Sequence, residues 1–147
     1  MKVLARNIPI TLSGRKYICD ILLGLYASTS RPAIMLAESR PESMSPQAIW
    51  DGSPIAVAST NAPEEYITHL SKPHFTAKDW SENEGLWEQL MDLLDEDGFP
   101  LFVRTRCAIT LGFCKACIFL LGPNACEAFK ELLSEKSREE QKEASNG

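Results

Sequence analysis

Five cysteines and two histidines are the residues of this 147-residue chain best suited to metal binding, redox chemistry or nucleophilic catalysis. Cys114 and Cys117 form a C-x-x-C pair, a spacing found in zinc sites and in thioredoxin-like redox sites. The chain has no second C-x-x-C, and the flanking residues predict a strand, on which residues three apart point to opposite faces. We therefore interpret the cysteines as reduced core residues and expect no metal site: Cys19, Cys107, Cys114, Cys117 and Cys126.

The remaining chemistry-bearing residues form no recognisable catalytic set. His69 and His74 lie five residues apart in a segment that predicts a loop, and we interpret them as surface residues without a role. No nucleophile elbow, Cys-His signature or glycine-rich phosphate loop is present. The sequence predicts no catalytic residue and no cofactor, and an enzyme is the lowest-ranked of our hypotheses.

Acidic residues concentrate in one segment. Residues 79–97 hold eight acids and no base, whereas the rest of the chain holds 12 acids and 15 bases. Leucines at four-residue steps predict an amphipathic helix over about 82–95, with acids on the face opposite the leucines. Like charges one turn apart, and acids at a helix C-terminus, both destabilise a helix. This conflict with local stability makes the segment a candidate for function.

Two interpretations of the acidic segment remain open. It could bind a basic surface on a partner, or it could be a solvated face that Arg104, Arg106 or Lys115 neutralises from neighbouring strands. Trp50 is the candidate aromatic anchor, because tryptophan is enriched at binding hot spots. The candidate partner-binding residues are Glu84, Glu88, Asp92, Asp95, Glu96, Asp97 and Trp50.

The pattern of apolar runs and turns predicts the fold class. Two runs rich in β-branched and aromatic residues flank Ser13-Gly14 and predict a hairpin. Ser81 and Glu84 have the spacing of a capping box at the start of the first helix. We expect an α+β fold with a mostly antiparallel sheet of about five or six strands and two main helices. The strands are predicted at 3–12, 15–27, 33–37, 54–59, 99–107 and 113–121, and the helices at about 82–95 and 125–134.

Length and composition bound the organisation of the chain. We expect a single domain over 1–133 with a loop insertion at 40–50, followed by a charged tail at 134–147 that frays. The net charge of −5 argues against a broadly basic nucleic-acid binder. There is no apolar run of the ~18 residues that a membrane span needs, and we read no signal peptide. These features, with an odd cysteine count, predict a cytoplasmic protein.

One octapeptide carries a resemblance to a known family: Asp79-Trp80-Ser81-Glu82-Asn83-Glu84-Gly85-Leu86. Three upstream motifs also match it, namely Ala33-Ile34-Met35-Leu36, Gly52-Ser53-Pro54 and Asn61-Ala62-Pro63. Over about residues 25–121 the chain resembles a family of small uncharacterised proteins carried by conjugative elements and phages. It departs from the family by the 40–50 insertion and by its extra C-terminal helix. The resemblance implies a mobile-element accessory protein in a bacterial cytoplasm, and it implies no chemistry.

Together, the resemblance and the acidic segment favour a non-enzymatic protein that binds and inhibits a host factor. The host factor could be a defence nuclease complex, which would make the protein of the anti-restriction or anti-CRISPR type. The expected partner is a host protein or protein–nucleic acid complex with a basic surface, and we expect neither direct nucleic-acid binding nor membrane binding. The alternative hypothesis is a module that binds a small ligand or nucleotide between sheet and helix.

Overall fold

A computed structural model describes residues 1–45, 47, 52–59, 74–78, 85–111 and 114–146. Within these ranges the chain forms seven strands and two helices. The strands are β1 (Lys2–Leu12), β2 (Arg15–Leu25), β3 (Pro32–Glu38), β4 (Pro54–Val57), β5 (His74–Lys78), β6 (Phe102–Leu111) and β7 (Cys114–Leu121). The helices are α1 (Leu86–Leu90), between β5 and β6, and α2 (Pro123–Asn146), after β7.

The strands form two antiparallel sheets rather than the one sheet that we expected. Sheet 1 has the order β1-β2-β3-β4, and sheet 2 has the order β5-β7-β6. The predicted α+β class and the antiparallel pairing are confirmed. The predicted β1–β2 hairpin is present, and both Ser13 and Gly14 have positive φ angles, of 50° and 76°. Two consecutive positive φ angles define a type I′ turn, whose twist matches that of the strands beside it.

The middle strands of sheet 1 follow the period-two pattern of a buried face. Cys19, Ile21 and Leu23 of β2 are fully buried, and so are Ile34 and Leu36 of β3. Leu23 pairs with Ile34, and Ile21 pairs with Leu36, so their side chains lie side by side on one face of the sheet. This face contributes to a single apolar core that also includes side chains from sheet 2 and both helices.

Four aromatic rings pack together at the centre of sheet 2. Each of its strands contributes one phenylalanine, and α1 contributes Trp87, whose ring centroid lies 4.1 Å from that of Phe119 and 5.1 Å from that of Phe75. The Trp87 indole Nε1–H donates a hydrogen bond of 2.9 Å to the carbonyl oxygen of Ala58, directly after β4. The Trp87 side chain therefore packs on sheet 2 and also forms a hydrogen bond to the residue that follows the last strand of sheet 1. The aromatic cluster consists of Phe75, Trp87, Phe102 and Phe119.

The first helix is much shorter than the predicted 82–95. It begins after Gly85, which has a φ of 77°, and ends at Leu90 with Met91 as its C-cap. The expected cap at Ser81 lies outside the described residues. The prediction that the helix continues to residue 95 is wrong, because Leu94 instead forms a β-bridge with Pro100. Ending the helix early also removes Asp95, Glu96 and Asp97 from the negative end of its dipole, where acids are unfavourable.

The second helix is much longer than the predicted 125–134. It begins at Pro123, a residue favoured at the first helical position, and continues to Asn146 where we expected a frayed tail. Glu, Lys, Arg, Gln and Ala, all good helix formers, dominate residues 134–146. Salt bridges of 3.2 and 3.0 Å from Lys2 to Glu131 and Glu135 also tie the helix to β1. The absence of apolar residues was therefore a poor guide to where the helix ends.

We predict that Gly122→Ala destabilises the fold strongly. A Cβ atom on Gly122 would lie 1.7 Å from the carbonyl oxygen of Pro100, so the backbones around these two residues must separate. The expected loss is about 2–3 kcal/mol or more, measured by urea unfolding. Gly98→Ala is the matched control, because its Cβ meets no atom within 4 Å and only its φ of 83° is strained. The control should lose about 1–2 kcal/mol. Equal losses would contradict the proposed close contact.

We predict that Trp87→Phe loosens the junction of the two sheets. The variant keeps an aromatic ring but leaves the Ala58 carbonyl without its donor, at an expected cost of about 1–3 kcal/mol. Amide hydrogen exchange should accelerate at Ala58, the residue after β4, whose N–H donates a hydrogen bond to the Ile34 carbonyl of β3. Phe102→Leu removes a ring of the same cluster and keeps the hydrogen bond, so Ala58 should stay protected. Unchanged Ala58 exchange in Trp87→Phe would show that the bond does not hold this junction.

Candidate functional site

Residues 93–101 form a hairpin with an acidic tip, which we name the acidic hairpin. Leu101 N–H donates to the Leu93 carbonyl over 3.1 Å, and Asp95 N–H donates to the Phe99 carbonyl over 2.8 Å. At the tip, Gly98 N–H donates to the Asp95 carbonyl over 3.0 Å. Aspartate at the first position of a β-turn and glycine with positive φ at the fourth are both favoured. Three consecutive acids, 95–97, are thus presented on a turn and not on a helix.

The Asp95 side chain organises this turn. One carboxylate oxygen accepts the backbone N–H groups of Asp97 and Phe99, at 2.9 and 3.0 Å. The other accepts a hydrogen bond of 2.9 Å from the Asn124 amide, which also donates to Asp97 over 2.7 Å. Asn124 lies in the first turn of α2, where the helix dipole favours nearby carboxylates. Asp95 and Asp97 are therefore held in place, and repulsion between them is offset by a shared donor.

A groove of about 540 Å³ separates the acidic hairpin from β1. Val3 and Leu94 are 41% and 61% exposed, so apolar side chains line the groove while remaining accessible to solvent. Exposed apolar side chains beside charged groups are typical of protein interaction sites. The groove is lined by Val3, Leu4, Ala5, Arg6 and Ile8 from β1, by Leu94, Asp95, Glu96 and Asp97 from the hairpin, and by Asn124.

The outer edge of β1 is protected against addition of another strand. The Gln89 side-chain amide accepts from the Thr11 N–H over 2.8 Å and donates to the Thr11 carbonyl over 2.9 Å, as a neighbouring strand would. Pro9 offers no N–H, and the register of β1 shifts between Val3 and Ile8. Prolines, bulges and covering side chains are known ways to block edge pairing. A partner in the groove would therefore contact side chains rather than extend the sheet.

Three of the predicted acids are exposed and form no ion pair with any described residue. Glu88, Asp92 and Glu96 are exposed, and the described part of the chain provides no ion pair to any of them. Arg104, one of the bases expected to neutralise them, instead donates to the Cys117 sulfur over 3.2 Å. The side chains of Arg106 and Lys115 lie outside the described residues. These three carboxylates are the charged candidates for contact with a partner.

The structure rearranges the predicted site rather than assembling it on one helix. Glu88 lies on α1 and Asp92 follows it, whereas Asp95, Glu96 and Asp97 lie on the hairpin. Glu84 and Trp50 lie outside the described residues, so their roles stay predictions. Sequence reasoning missed Gln89, Asn124 and the β1 side chains of the groove. The Asp95-to-Gly98 spacing was a readable turn signal, but no local signal points to Asn124, which meets the turn only in the folded chain.

The environment of Cys19 differs from that of a reactive thiol. Cys19 is buried, and burial, with smaller contributions from Asp20 and Glu38, raises the pKa of its thiol to about 11. Such a thiol stays protonated at neutral pH and is a poor nucleophile. Cys126 donates a hydrogen bond to the Leu121 carbonyl over 3.4 Å. Cys19 and Cys117 are free cysteines, while the side chains of Cys107 and Cys114 lie outside the described residues.

Within the described ranges, metal-binding clusters and membrane-spanning helices are absent. There, no three His, Cys, Asp or Glu side chains are arranged to hold a metal ion. No α-helix in the described part of the chain has both the length and the apolar character to span a membrane. His69, and the side chain of His74, lie outside these ranges.

Fold and site together define an α+β protein of two antiparallel sheets with an acidic hairpin beside an accessible groove. No protein-family model, curated protein or solved structure matches the chain. Its function must therefore be argued from its own residues.

We predict that Asn124 variants disorder the acidic hairpin. Asn124→Ala removes the donor shared by two carboxylates, at an expected cost of about 1–3 kcal/mol. Asn124→Asp places a third carboxylate at the same point and should cost more. Urea unfolding gives the loss of stability, and amide exchange at Asp97 and Phe99 reports on the turn itself. If Asn124→Asp is as stable as the parent, the two bonds do not hold the hairpin.

Proposed function

We propose that this protein is a non-enzymatic interaction protein that binds a basic surface of its partner through the groove between β1 and the acidic hairpin. The observation that carries the proposal is one arrangement: accessible apolar side chains in the groove, beside carboxylates that no described residue pairs with. Val3 and Leu94 would supply apolar contact. Asp92 and Glu96, exposed and without an ion pair among the described residues, would attract Lys or Arg of the partner.

The carboxylates of the site divide into two roles. Asp95 and Asp97 are engaged by Asn124 and fix the shape of the hairpin. Glu88, Asp92 and Glu96 are the charges available for attraction. Exposed charges act mainly on the rate of association, whereas desolvated apolar contacts slow dissociation. We expect the acids to steer the partner and the apolar residues to retain it.

The resemblance to proteins of conjugative elements and phages supports a more specific form of the proposal. A mobile-element protein that binds without catalysis can inhibit a host protein by covering a surface that the host protein uses for its own function. We therefore propose a host factor with a basic surface as the partner, with a defence nuclease complex as the favoured kind. Such complexes bind nucleic acid through basic surfaces. The charge of an acidic hairpin is complementary to a surface of this kind. We propose that this interaction takes place in a bacterial cytoplasm.

The proposal predicts that reversing free acids of the site weakens binding more than reversing acids elsewhere. The test variant is Asp92→Lys with Glu96→Lys. The control, Glu140→Lys with Glu143→Lys, makes the same change in net charge on an exposed part of α2 away from the groove. A partner is first captured from bacterial lysate and identified as a stoichiometric complex by native mass spectrometry. Association and dissociation rates of the purified complex are then measured at low and high salt.

At low salt, the test variant should associate about tenfold or more slowly than the control, because steering by exposed charges contributes about 10–1000-fold to association rates. The difference should shrink at high salt, where such charges are screened over a few ångströms. Leu94→Ser should instead raise the dissociation rate. If both double variants associate at the same rate, the charges of Asp92 and Glu96 do not contribute to binding.

A further inference from the structure

A second recess lies between α2 and the end of sheet 1 where β2 ends and β3 begins. It is a cavity of about 460 Å³, within the range of small-molecule sites. None of its lining residues belongs to the groove beside the acidic hairpin. Leu25, Met35 and Val57 line it from the sheet, and Leu132 lines it from α2. Apolar side chains therefore form much of its wall.

Small residues on adjacent strands leave this space unfilled. Gly24 of β2 pairs directly with Ala33 of β3, so no large side chain rises from the sheet at this point. The Met1 side chain lies over Gly24, at 3.5 Å from where a Cβ would be placed. Met1 and Met35 both line the cavity, and methionine adapts to varied apolar shapes and makes favourable contacts with aromatic rings. The wall can thus adjust to an inserted apolar group, aromatic groups included.

Four charged groups beside the mouth of the cavity neutralise one another. Lys2 donates a hydrogen bond of 3.0 Å to Glu135 and forms a salt bridge of 3.2 Å with Glu131. The hydrogen bond and the charge of Lys2, with a smaller contribution from the charge of the Met1 α-ammonium, lower the pKa of the Glu135 carboxyl. Two positive and two negative charges therefore balance here, and this group favours neither a cationic nor an anionic ligand.

Lys136 and Glu139, which line the cavity from α2, are a second pair of opposite charges. Lys136 Nζ donates to the Ser30 hydroxyl over 2.5 Å, so two of its three N–H donors are unused among the described residues. Glu139 is exposed and has neither a hydrogen bond nor an ion pair with any described residue. The two side chains therefore do not pair with each other, although residues three apart lie on the same face of a helix.

The mouth thus presents one cation and one anion on the same face of α2, beside an apolar wall. A ligand with a single charge would pair with Lys136 or with Glu139 and leave the other charge unpaired. A zwitterionic head group pairs with both, because it carries an ammonium group and a carboxylate at one end. Hydrogen bonds between charged groups are stronger than those between neutral groups, so engaging both side chains increases affinity.

We propose that this cavity binds a free α-amino acid with a large apolar side chain. The side chain of the ligand lies against Leu25, Met35 and Leu132. Its ammonium group pairs with Glu139, and its carboxylate accepts hydrogen bonds from Lys136. This site adds a second kind of ligand to the proposed partner-binding function and does not depend on it.

Four probes with the same aromatic body separate the apolar and ionic parts of the proposal. Phenylalanine carries both charges, phenethylamine lacks the carboxylate, 3-phenylpropanoate lacks the ammonium group, and 2-phenylethanol lacks both. Binding is measured by methyl and amide NMR titration of the full chain. Phenylalanine should shift the resonances of Leu25, Met35, Val57 and Leu132 with a dissociation constant of roughly 10 µM to 1 mM, as expected for a ligand of this size. Each of the other three probes should bind about tenfold or more weakly, because it loses at least one charge-assisted bond.

Two pairs of variants assign the charges. Glu139→Gln should weaken phenylalanine and phenethylamine but not 3-phenylpropanoate, whereas Lys136→Gln should weaken phenylalanine and 3-phenylpropanoate but not phenethylamine. The matched controls are Glu140→Gln and Lys142→Gln, which remove the same charges at exposed positions of α2 that do not line the cavity. Neither control should change the affinity for any probe.

A third pair of variants locates the apolar part of the site. Val57→Trp places a large ring at the lining, and Val103→Trp makes the same change at a similarly exposed position on β6, outside the cavity. Phenylalanine affinity should fall about tenfold or more in Val57→Trp and stay unchanged in Val103→Trp.

Several results would overturn the proposal. Absence of phenylalanine shifts up to millimolar concentration, shifts that map outside the cavity, or equal affinity of Val57→Trp and Val103→Trp would remove the site. Any of the three other probes binding as tightly as phenylalanine would refute the zwitterion as the ligand class. Equal effects of Glu139→Gln and Glu140→Gln, or of Lys136→Gln and Lys142→Gln, would do the same. None of these outcomes bears on the groove beside the acidic hairpin, which the charge-reversal variants test separately.

Discussion

The structure depends above all on Trp87 and the rings that surround it. Phe75, Phe102 and Phe119 each come from a different strand of sheet 2, and Trp87 packs against all three. The indole nitrogen then bonds to Ala58 beside sheet 1. Aromatic side chains bury more apolar area than any others, so a cluster of four makes a large contribution to a chain of this length. The same tryptophan that completes the core of sheet 2 therefore also fixes where sheet 1 lies.

The position of α1 explains how the candidate groove is formed. Because Trp87 is anchored in the core, its neighbours on this short helix are directed elsewhere: Gln89 reaches the edge of β1, and Glu88 faces solvent. The chain then leaves the helix at Met91 and enters the acidic hairpin, which Gly122 and Asn124 hold against the start of α2. Core packing thus places a charged turn beside β1 without the turn itself contributing to the core.

The sequence was informative where local pattern and tertiary structure agree. Ser13-Gly14, between two alternating runs, was enough to predict the β1–β2 hairpin, and the buried face of β2 matched its apolar alternation. It was misleading around Leu94, where leucine spacing favoured a helix but the Asp95–Gly98 turn and the Pro100 bridge prevailed. The unfavourable charges that we took as a sign of function are partly relieved by this change of structure. Asn124 could not be predicted, because its contact with Asp95 joins residues 29 positions apart.

What remains unusual after that correction is the combination of a fixed turn and exposed charge that no described residue neutralises. A flexible acidic loop would lose conformational entropy on binding, and that loss would reduce its affinity. In the acidic hairpin, the bonds from Asn124 and from two backbone amides to Asp95 restrict the turn before any partner arrives. These bonds also stabilise the folded chain, so on their own they are no sign of function. Glu96, however, is held at the tip with no counter-ion among the described residues, beside the exposed Leu94. The proposed recognition of a basic surface would use both features, the fixed turn and the exposed charge.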